Sequence, residues 1–589
     1  MKNRYRYVVA QCLLLMSLAA LPFGAHAGNE DGPISRQAAA AVLGELDSPD
    51  KPAMAIALLQ NGKVIYQQAF GSANLEHKAP ATVDTTFQVD TLAWEFIAVA
   101  TLMLEAQGKI KLDDDIRMYL PDLPDFGKTI TINHLLSSTD GLYGYKVLKA
   151  LAGWEPPQSG QDKAIVQLIK NQKTLNFAPG TAFSPGGDTR LILLAHIVEA
   201  ASGQAFDAYC STHIFTPLGM VNTAFAYDNA TLPANTALPY RADGKGGFTL
   251  DQGGARVPGP LNLYSSIKDL ALWRSRSGSP AAGAKSLMAR LDAPIRLDRG
   301  DIIKDISSIS IYRQQHAGRE RGIPKVYQMG TAGGYASSVF HFPEQNITAI
   351  ALSSGLAYNG SYAMRLAALL LKNHFLEPET IDYDKIASVA LSPAQLQKFA
   401  GRYWSPSRAI STRIHLKNGV LYYSRVEGAD GRVLIPLGDA VFQLKIEGDD
   451  RYLVKFVDKQ GGKELHFSMA GSDPVVFEPY QAASYTAGEL AQFAGTFYSS
   501  ELNSSFLVEA NGGILSASNM RVGTVTFKPI TTDLFAGDKT FMGGIQFKRG
   551  SNNDITGFHI MVDEVRQLEF RKIRVDEQRT LPARVASGG

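Results

Sequence analysis

The chain has 589 residues, 45% of them hydrophobic, and a formal net charge of +2. That length is too great for a single core and implies about two to four domains, while the near-neutral charge excludes a nucleic-acid surface built on excess lysine and arginine. Only two cysteines are present, so no internal disulfide framework is expected and each domain must be held by its own apolar core.

Lys2, Arg4 and Arg6 precede an apolar run from Val8 to Ala20, and Ala25-His26-Ala27 forms an A-x-A cleavage site. The run is short of the ~20 residues a membrane span needs. Residues 1–27 are therefore expected to be a signal peptide cut after Ala27, giving an exported, periplasmic or secreted protein with no membrane span in the mature chain. Cys12 leaves with that segment, and Cys210 is expected to be a small buried apolar residue. Ile34 to Leu46 has amphipathic helical spacing, and Ala55 to Glu76 reads as two strands around the turn Asn61-Gly62. Phe87 to Lys109, FQVDTLAWEFIAVATLMLEAQGK, reads as a short strand, a polar turn and a helix that is apolar around most of its circumference. Such a helix belongs at a domain centre. Asp90 or Thr91 is the expected N-cap and Gly108 the stop. A buried helix start with free N–H groups facing a cleft is a good place for a nucleophile.

A polar, Gly/Pro-bearing excursion is expected from Tyr143 to about Gln161, then helices over Lys163–Asn171 and Leu191–Ala201 and a turn at Pro217–Met220. Leu263 to Trp273 has helical spacing with a serine N-cap. Strands are expected over Ser307–Tyr312, Ala336–Phe342 and Thr348–Ser353, with a closing helix over Ala363–Phe375. This order predicts an α+β domain over residues 30–375, an antiparallel sheet with helices around a central buried helix. A linker over 376–392 follows. LSPAQLQKFAGRYWSP from Leu391 is then echoed by YTAGELAQFAGTFYSS from Tyr485, and Asn418-Gly419, Pro436 and Phe442 recur as Asn511-Gly512, Pro529 and Phe535. Two copies of one small antiparallel β-barrel or sandwich module are predicted, over 393–480 and 485–575, ahead of a loose tail at 576–589.

Several segments between Ala55 and Gly355 arrive in an order that resembles the serine β-lactamase and penicillin-binding-protein-like family, with its D-alanyl-D-alanine carboxypeptidases, esterases and D-aminopeptidases. They are NGKVIYQQAFGSANLEHKAPATVDTTFQV, LMLEAQGKIKLDDDI, ITINHLLSSTDGL, PGTAFS, PLGM and GGYASSVFHFPEQN. The two appended modules are similar to the three-part layout of the D-aminopeptidase branch. The resemblance implies three motifs: S-x-x-K at the central helix start, Y-x-N after PGTxFS, and H-x-G or K-T-G on the strand edging the cleft. Here the serine position is Thr91 and the lysine position Trp94; Y-x-N falls on Pro185-Gly186-Gly187, and H-x-G on Gln328-Met329-Gly330. Ser138 stands where a histidine is common. Asp90, Tyr143, Gly333, Gly334 and Tyr335 are expected to line the cleft, with Tyr145 near its rim.

Matches to the same short patterns occur elsewhere: Ser265 with Lys268, Tyr227-Asp228-Asn229, and His316-Ala317-Gly318 in what reads as a polar loop. Each lies outside the flanking sequence that gives its motif meaning. His134 and His196 read as core residues, and Asp90 and Glu95 as helix-terminal carboxylates. No P-loop, dinucleotide fingerprint or metal-ligand spacing occurs, so neither cofactor nor metal is expected. Tryptophan accepts no proton, and no catalytic residue is assigned. Three functions remain open at this point. One is an exported pseudoenzyme that binds a peptide, a peptidoglycan fragment or a protein partner. Another is an atypical hydrolase of D-aminopeptidase, carboxypeptidase or esterase type using Thr91 as nucleophile. The last is a scaffold working through its C-terminal barrels.

Overall fold

A computed structural model describes residues 33–153, 161–184, 188–227, 232–251, 259–276, 290–291, 294–303, 316–355, 361–376, 388–425, 430–438, 440–445, 452–460, 462–469 and 474–574. The signal segment expected over 1–27, the strand expected over Ser307–Tyr312, most of the expected linker and the expected tail lie outside the described residues. No helix among the described residues is long and apolar enough to cross a membrane.

Met54–Gln60 and Lys63–Phe70 form the expected hairpin, with Asn61 and Gly62 both at positive φ as a two-residue turn of this hand requires. They close one edge of a six-stranded antiparallel sheet in the order His316–Glu320, Ile323–Ala332, Tyr335–Phe342, Ile347–Ser353, Met54–Gln60, Lys63–Phe70. Met54 to Leu59 is buried on both faces because each side of the sheet is covered. Met54, Ile56 and Leu58 pack under the helices Arg36–Leu43 and Ser361–Leu371, whereas Ala55, Ala57 and Leu59 face the main core. That core surrounds the central helix, Ala93–Ala106, which packs beside Thr189–Ser202.

One charge is buried within that helix. Glu95 is 1% exposed and receives the Arg274 guanidinium at 2.9 Å and Trp273 Nε1 at 3.1 Å. A core carboxylate is tolerated only with such partners.

Four local expectations are corrected. The central helix has no side-chain cap: its N-cap is Leu92, in helical conformation, because a 3₁₀ turn over Asp90–Leu92 leads straight into it. The excursion after Tyr143 holds a helix, Tyr145–Ala152, whose buried Tyr145, Leu148 and Leu151 recur at helical spacing. His316-Ala317-Gly318 belongs to an edge strand, held in register by pairing with Ile323–Ala332. Leu263–Ser266 is a strand and only Ile267–Arg276 is helical, with Ser266 Oγ accepting from the Asp269 N–H.

Each C-terminal module is a closed eight-stranded barrel. Each begins with a short helix fixed by a capping box, Ser392 with Gln395 before Pro393–Gln397 and Thr486 with Glu489 before Ala487–Ala491. The repeat extends to an irregularity: strand register shifts between Pro436 and Gly438 in one barrel and between Pro529 and Thr531 in the other. Proline has no N–H to give the ladder, so a bulge is its natural place. The second hairpin turn is Asn418-Gly419 in one copy and Gly512-Gly513 in the other, one position beyond the Asn511-Gly512 landmark. Trp404 of the first barrel packs on Ile530 and Leu534 of the second. Tyr143, Leu148 and Leu151 complete the apolar cluster of the second barrel, so the helix missed in sequence is the one on which that barrel sits.

Arg274→Met is expected to cost about 3–5 kcal/mol, because it strands a buried Glu95 charge. The double variant Glu95→Leu/Arg274→Met should cost less than the single one. Urea unfolding followed by tryptophan fluorescence checks both.

Candidate functional site

The site where the resemblance places catalytic groups is assembled from the central helix start, the strand Ile323–Ala332 and the segment leading into Thr189–Ser202. Thr91 lies in the 3₁₀ turn, and its Oγ1 is buried without a hydrogen-bond partner among the described residues. Its carbonyl accepts from Gln328 Nε2 at 2.8 Å. Gln328 is 2% exposed, and its Oε1 is likewise buried and unpartnered.

Trp94 is half-buried, with the Arg190 guanidinium carbon 5.7 Å from its ring centre. Arg190 is 3% exposed. Its Nη1 donates to the Leu135 carbonyl at 3.3 Å, and its Nε has no partner among the described residues. Burial pushes its pKa down to about 10, against the pull of Asp140 and Asp188, so it still carries its charge at neutral pH. A protonated guanidinium accepts no proton. Asp140 is buried beside it, accepts from the Leu142 N–H at 2.8 Å, and is raised to about 6 by desolvation. Asp188 is paired with Lys146 at 2.5 Å.

Gly330 is buried and pairs with Ser337. Gly333 and Gly334, both at positive φ, turn the hairpin; a Cβ at Gly334 would lie 2.6 Å from Pro239 Cβ. Pro185, Gly186 and Gly187 lie outside the described residues, as do Asp228, Asn229 and the side chain of Asp90. Tyr143, Tyr145 and Tyr335 are corrections: all are core residues, not cleft lining. The Tyr143 hydroxyl meets Thr174 Oγ1 at 2.5 Å, and the Tyr335 hydroxyl donates to the Ala237 carbonyl at 2.7 Å. Ser138 adopts the left-handed conformation that ends the helix Ile132–Ser137. Ser265 is fully buried with its Oγ 2.8 Å from Thr223 Oγ1, and Lys268 is paired with Asp84 at 2.9 Å, so this formal S-x-x-K is built into packing. Cys210 is buried and its thiol is pushed up by desolvation. No cluster of metal-ligating side chains occurs among the described residues.

Sequence reasoning missed Arg190 and the second barrel's turn at Val562–Val565. An arginine at the second position of the apolar helix TRLILLAH is a legible oddity. The turn carries no sequence signal, yet its Glu564 carbonyl accepts from the Gly144 N–H at 3.1 Å and from Asn176 Nδ2 at 2.9 Å. The Arg566 N–H returns a bond of 2.8 Å to Asn176 Oδ1.

Residues 38–374 match the family model described as Beta-lactamase, and the chain belongs to that family. Among curated proteins it is similar to a D-aminopeptidase of Gluconobacter oxydans (strain 621H), 26% identical over 42% of this chain and 46% of that protein. It is also similar to Esterase EstB of Burkholderia gladioli, at 28% over 53% of this chain and 84% of the relative. It is similar as well to a D-aminopeptidase of Cereibacter sphaeroides (strain KD131 / KCTC 12085), at 22% identity over 77% of this chain and 81% of the relative. The match covers about half the length of the Gluconobacter protein. The crystal structure of SurE shares the fold, with a TM-score of 0.51 at 18% identity over 75% of this chain and 98% of that one.

Because the Asp140 carboxyl is raised from 3.8 to about 6, its contribution is fully present below about pH 4 and is lost as pH rises through about 6. Asp140→Asn keeps an acceptor for Leu142 and should be more stable than the parent at pH 8, by up to about 3 kcal/mol at ~1.4 kcal/mol per pKa unit. That advantage should vanish near pH 4, as paired urea titrations would show.

Proposed function

We propose that this chain is an exported, non-hydrolytic member of the Beta-lactamase family that binds a short peptide of the D-amino-acid type, such as a peptidoglycan stem fragment. One observation carries this: the hydroxyl at the nucleophile position, Thr91 Oγ1, is buried and without a partner among the described residues, with Trp94 one turn on where a lysine would take its proton. A serine-type nucleophile needs both access to substrate and a base in hydrogen-bond reach. Arg190, over the Trp94 ring, offers a fixed cation in place of a proton acceptor. Losing a nucleophile or its base in such machinery costs about 10⁴ to 10⁶ in kcat. The D-aminopeptidases and Penicillin-binding protein 4* among the relatives support the ligand class. The basic leader at Lys2, Arg4 and Arg6 and the Ala25-His26-Ala27 site support export.

Purified protein is expected to leave nitrocefin, p-nitrophenyl esters and D-alanyl amides at the uncatalysed rate, with Thr91→Ala unchanged within twofold, and mass spectrometry should find no adduct after exposure to penicillin. Calorimetry should still register binding of a D-alanine-terminated stem peptide. Enzyme-like turnover abolished by Thr91→Ala, or a covalent adduct on Thr91, would establish the hydrolytic alternative instead.

A further inference from the structure

The contact between the second barrel and the family domain contains a carboxyl group that nothing at the cleft uses. Glu564 sits at the tip of the Val562–Val565 turn, and the structure leaves its Oε2 buried with no hydrogen-bond partner among the described residues. The group is pressed onto the backbone: any Cβ at Gly144 would strike its carboxyl oxygen. The backbone on either side is tied down by bonds that exist only while the two domains touch, from the Gly144 N–H to the Glu564 carbonyl and from the Arg566 N–H to Asn176 Oδ1. Ser504 Oγ adds a bond to the Leu151 carbonyl at 3.1 Å.

The charged groups facing Glu564 come from three elements. Lys146, on the helix Tyr145–Ala152, is already held by Asp188, which precedes the helix Thr189–Ser202. Asp563, on the same turn, is held by Arg408 of the first barrel at 2.7 Å and by Arg566 at 2.9 Å. The cations are thus engaged by other carboxylates, and an ionised Glu564 would enter the contact as a surplus negative charge lacking a donor. A buried charge without a donor is far costlier than a buried neutral acid.

We propose that protonation of Glu564 latches the second barrel onto the family domain, so that the contact tightens in acid and loosens as pH approaches and passes neutrality. The same balance shows in the acid's affinity for its proton. Desolvation, with Asp188 and Asp563 nearby, raises its pKa from 4.5 to about 7, while Lys146 opposes the rise. The sign follows. The latch is fully formed below about pH 4.5, weakens by up to about tenfold per pH unit above that, and levels off beyond about pH 7. Glu501, buried in the same contact and accepting from the Lys173 N–H at 3.0 Å, is also raised and adds to the loosening at the acid end. The latch does not depend on whether the cleft binds a peptide.

Hydrogen exchange of the Gly144 and Arg566 amides in the full chain, corrected for intrinsic rate, reports the contact directly. Between pH 5 and pH 8 their protection is expected to fall by about a hundredfold in the parent. In Glu564→Gln, which keeps the shape and removes the charge, most of that fall should disappear, leaving the smaller part that Glu501 contributes. Lys146→Met, which removes the cation opposing the shift, should move the midpoint to higher pH. Protection that is level with pH in the parent would overturn the proposal, as would an unchanged fall in Glu564→Gln or a midpoint lowered by Lys146→Met. Should Glu564→Gln not fold, the parent profile and the direction of the Lys146→Met shift decide it.

Discussion

The bond from the Gln328 amide to the Thr91 carbonyl ties the sheet to the head of the central helix, and the geometry of the site depends on it. The helix below is buried almost all round, so its start has little freedom to slide or tilt. A continuous 3₁₀ turn replaces a side-chain cap there, and the backbone, not a polar side chain, sets where residue 91 sits. The Gln328 side chain spends its N–H on that carbonyl, and its own oxygen stays unmatched beside an unmatched threonine hydroxyl. Two buried polar atoms without partners among the described residues are unusual side by side in a packed protein.

Around that point, apolar and cationic side chains pack together. Arg190 lies over the Trp94 ring at cation–π distance. Arg190 in turn sits between Asp140 and Asp188, which keep its charge despite burial. On the other flank of the helix, Glu95 is neutralised by Arg274. The helix is thereby held by a cation–ring contact on one flank and an ion pair on the other.

The second barrel is an integral part of this domain's burial. Tyr143 and the helix Tyr145–Ala152 lie in the barrel's own apolar cluster, so detaching the barrel exposes core from both sides. Polar links at Gly144, Leu151, Lys173 and Asn176 surround that apolar patch. Through Arg408 and Arg566 the same turn reaches the first barrel as well, and a charge change at its tip is felt where three structural units meet.

Much of this was legible in the residues themselves. Asn61-Gly62 dictates a hairpin because both positions accept positive φ, and the apolar circumference of Leu92–Leu104 dictates a helix at the centre. Repetition of FAG, of the proline at the bulge and of the phenylalanine beyond it determined two like modules, since the same local chemistry closes the same barrel twice. That Trp94 and Gln328 stand at the lysine and histidine positions is an expectation that rests on the resemblance alone. Tertiary structure alone decided that Tyr143 and Tyr335 are core, that Arg190 lies over Trp94, and that one carboxyl oxygen of the half-buried Glu564 is closed against Gly144, more than 400 residues away in the chain. The reason is physical: periodicity and turn chemistry act over a few residues, whereas burial, and the charge state that follows from it, is set by whichever distant surface closes over a side chain.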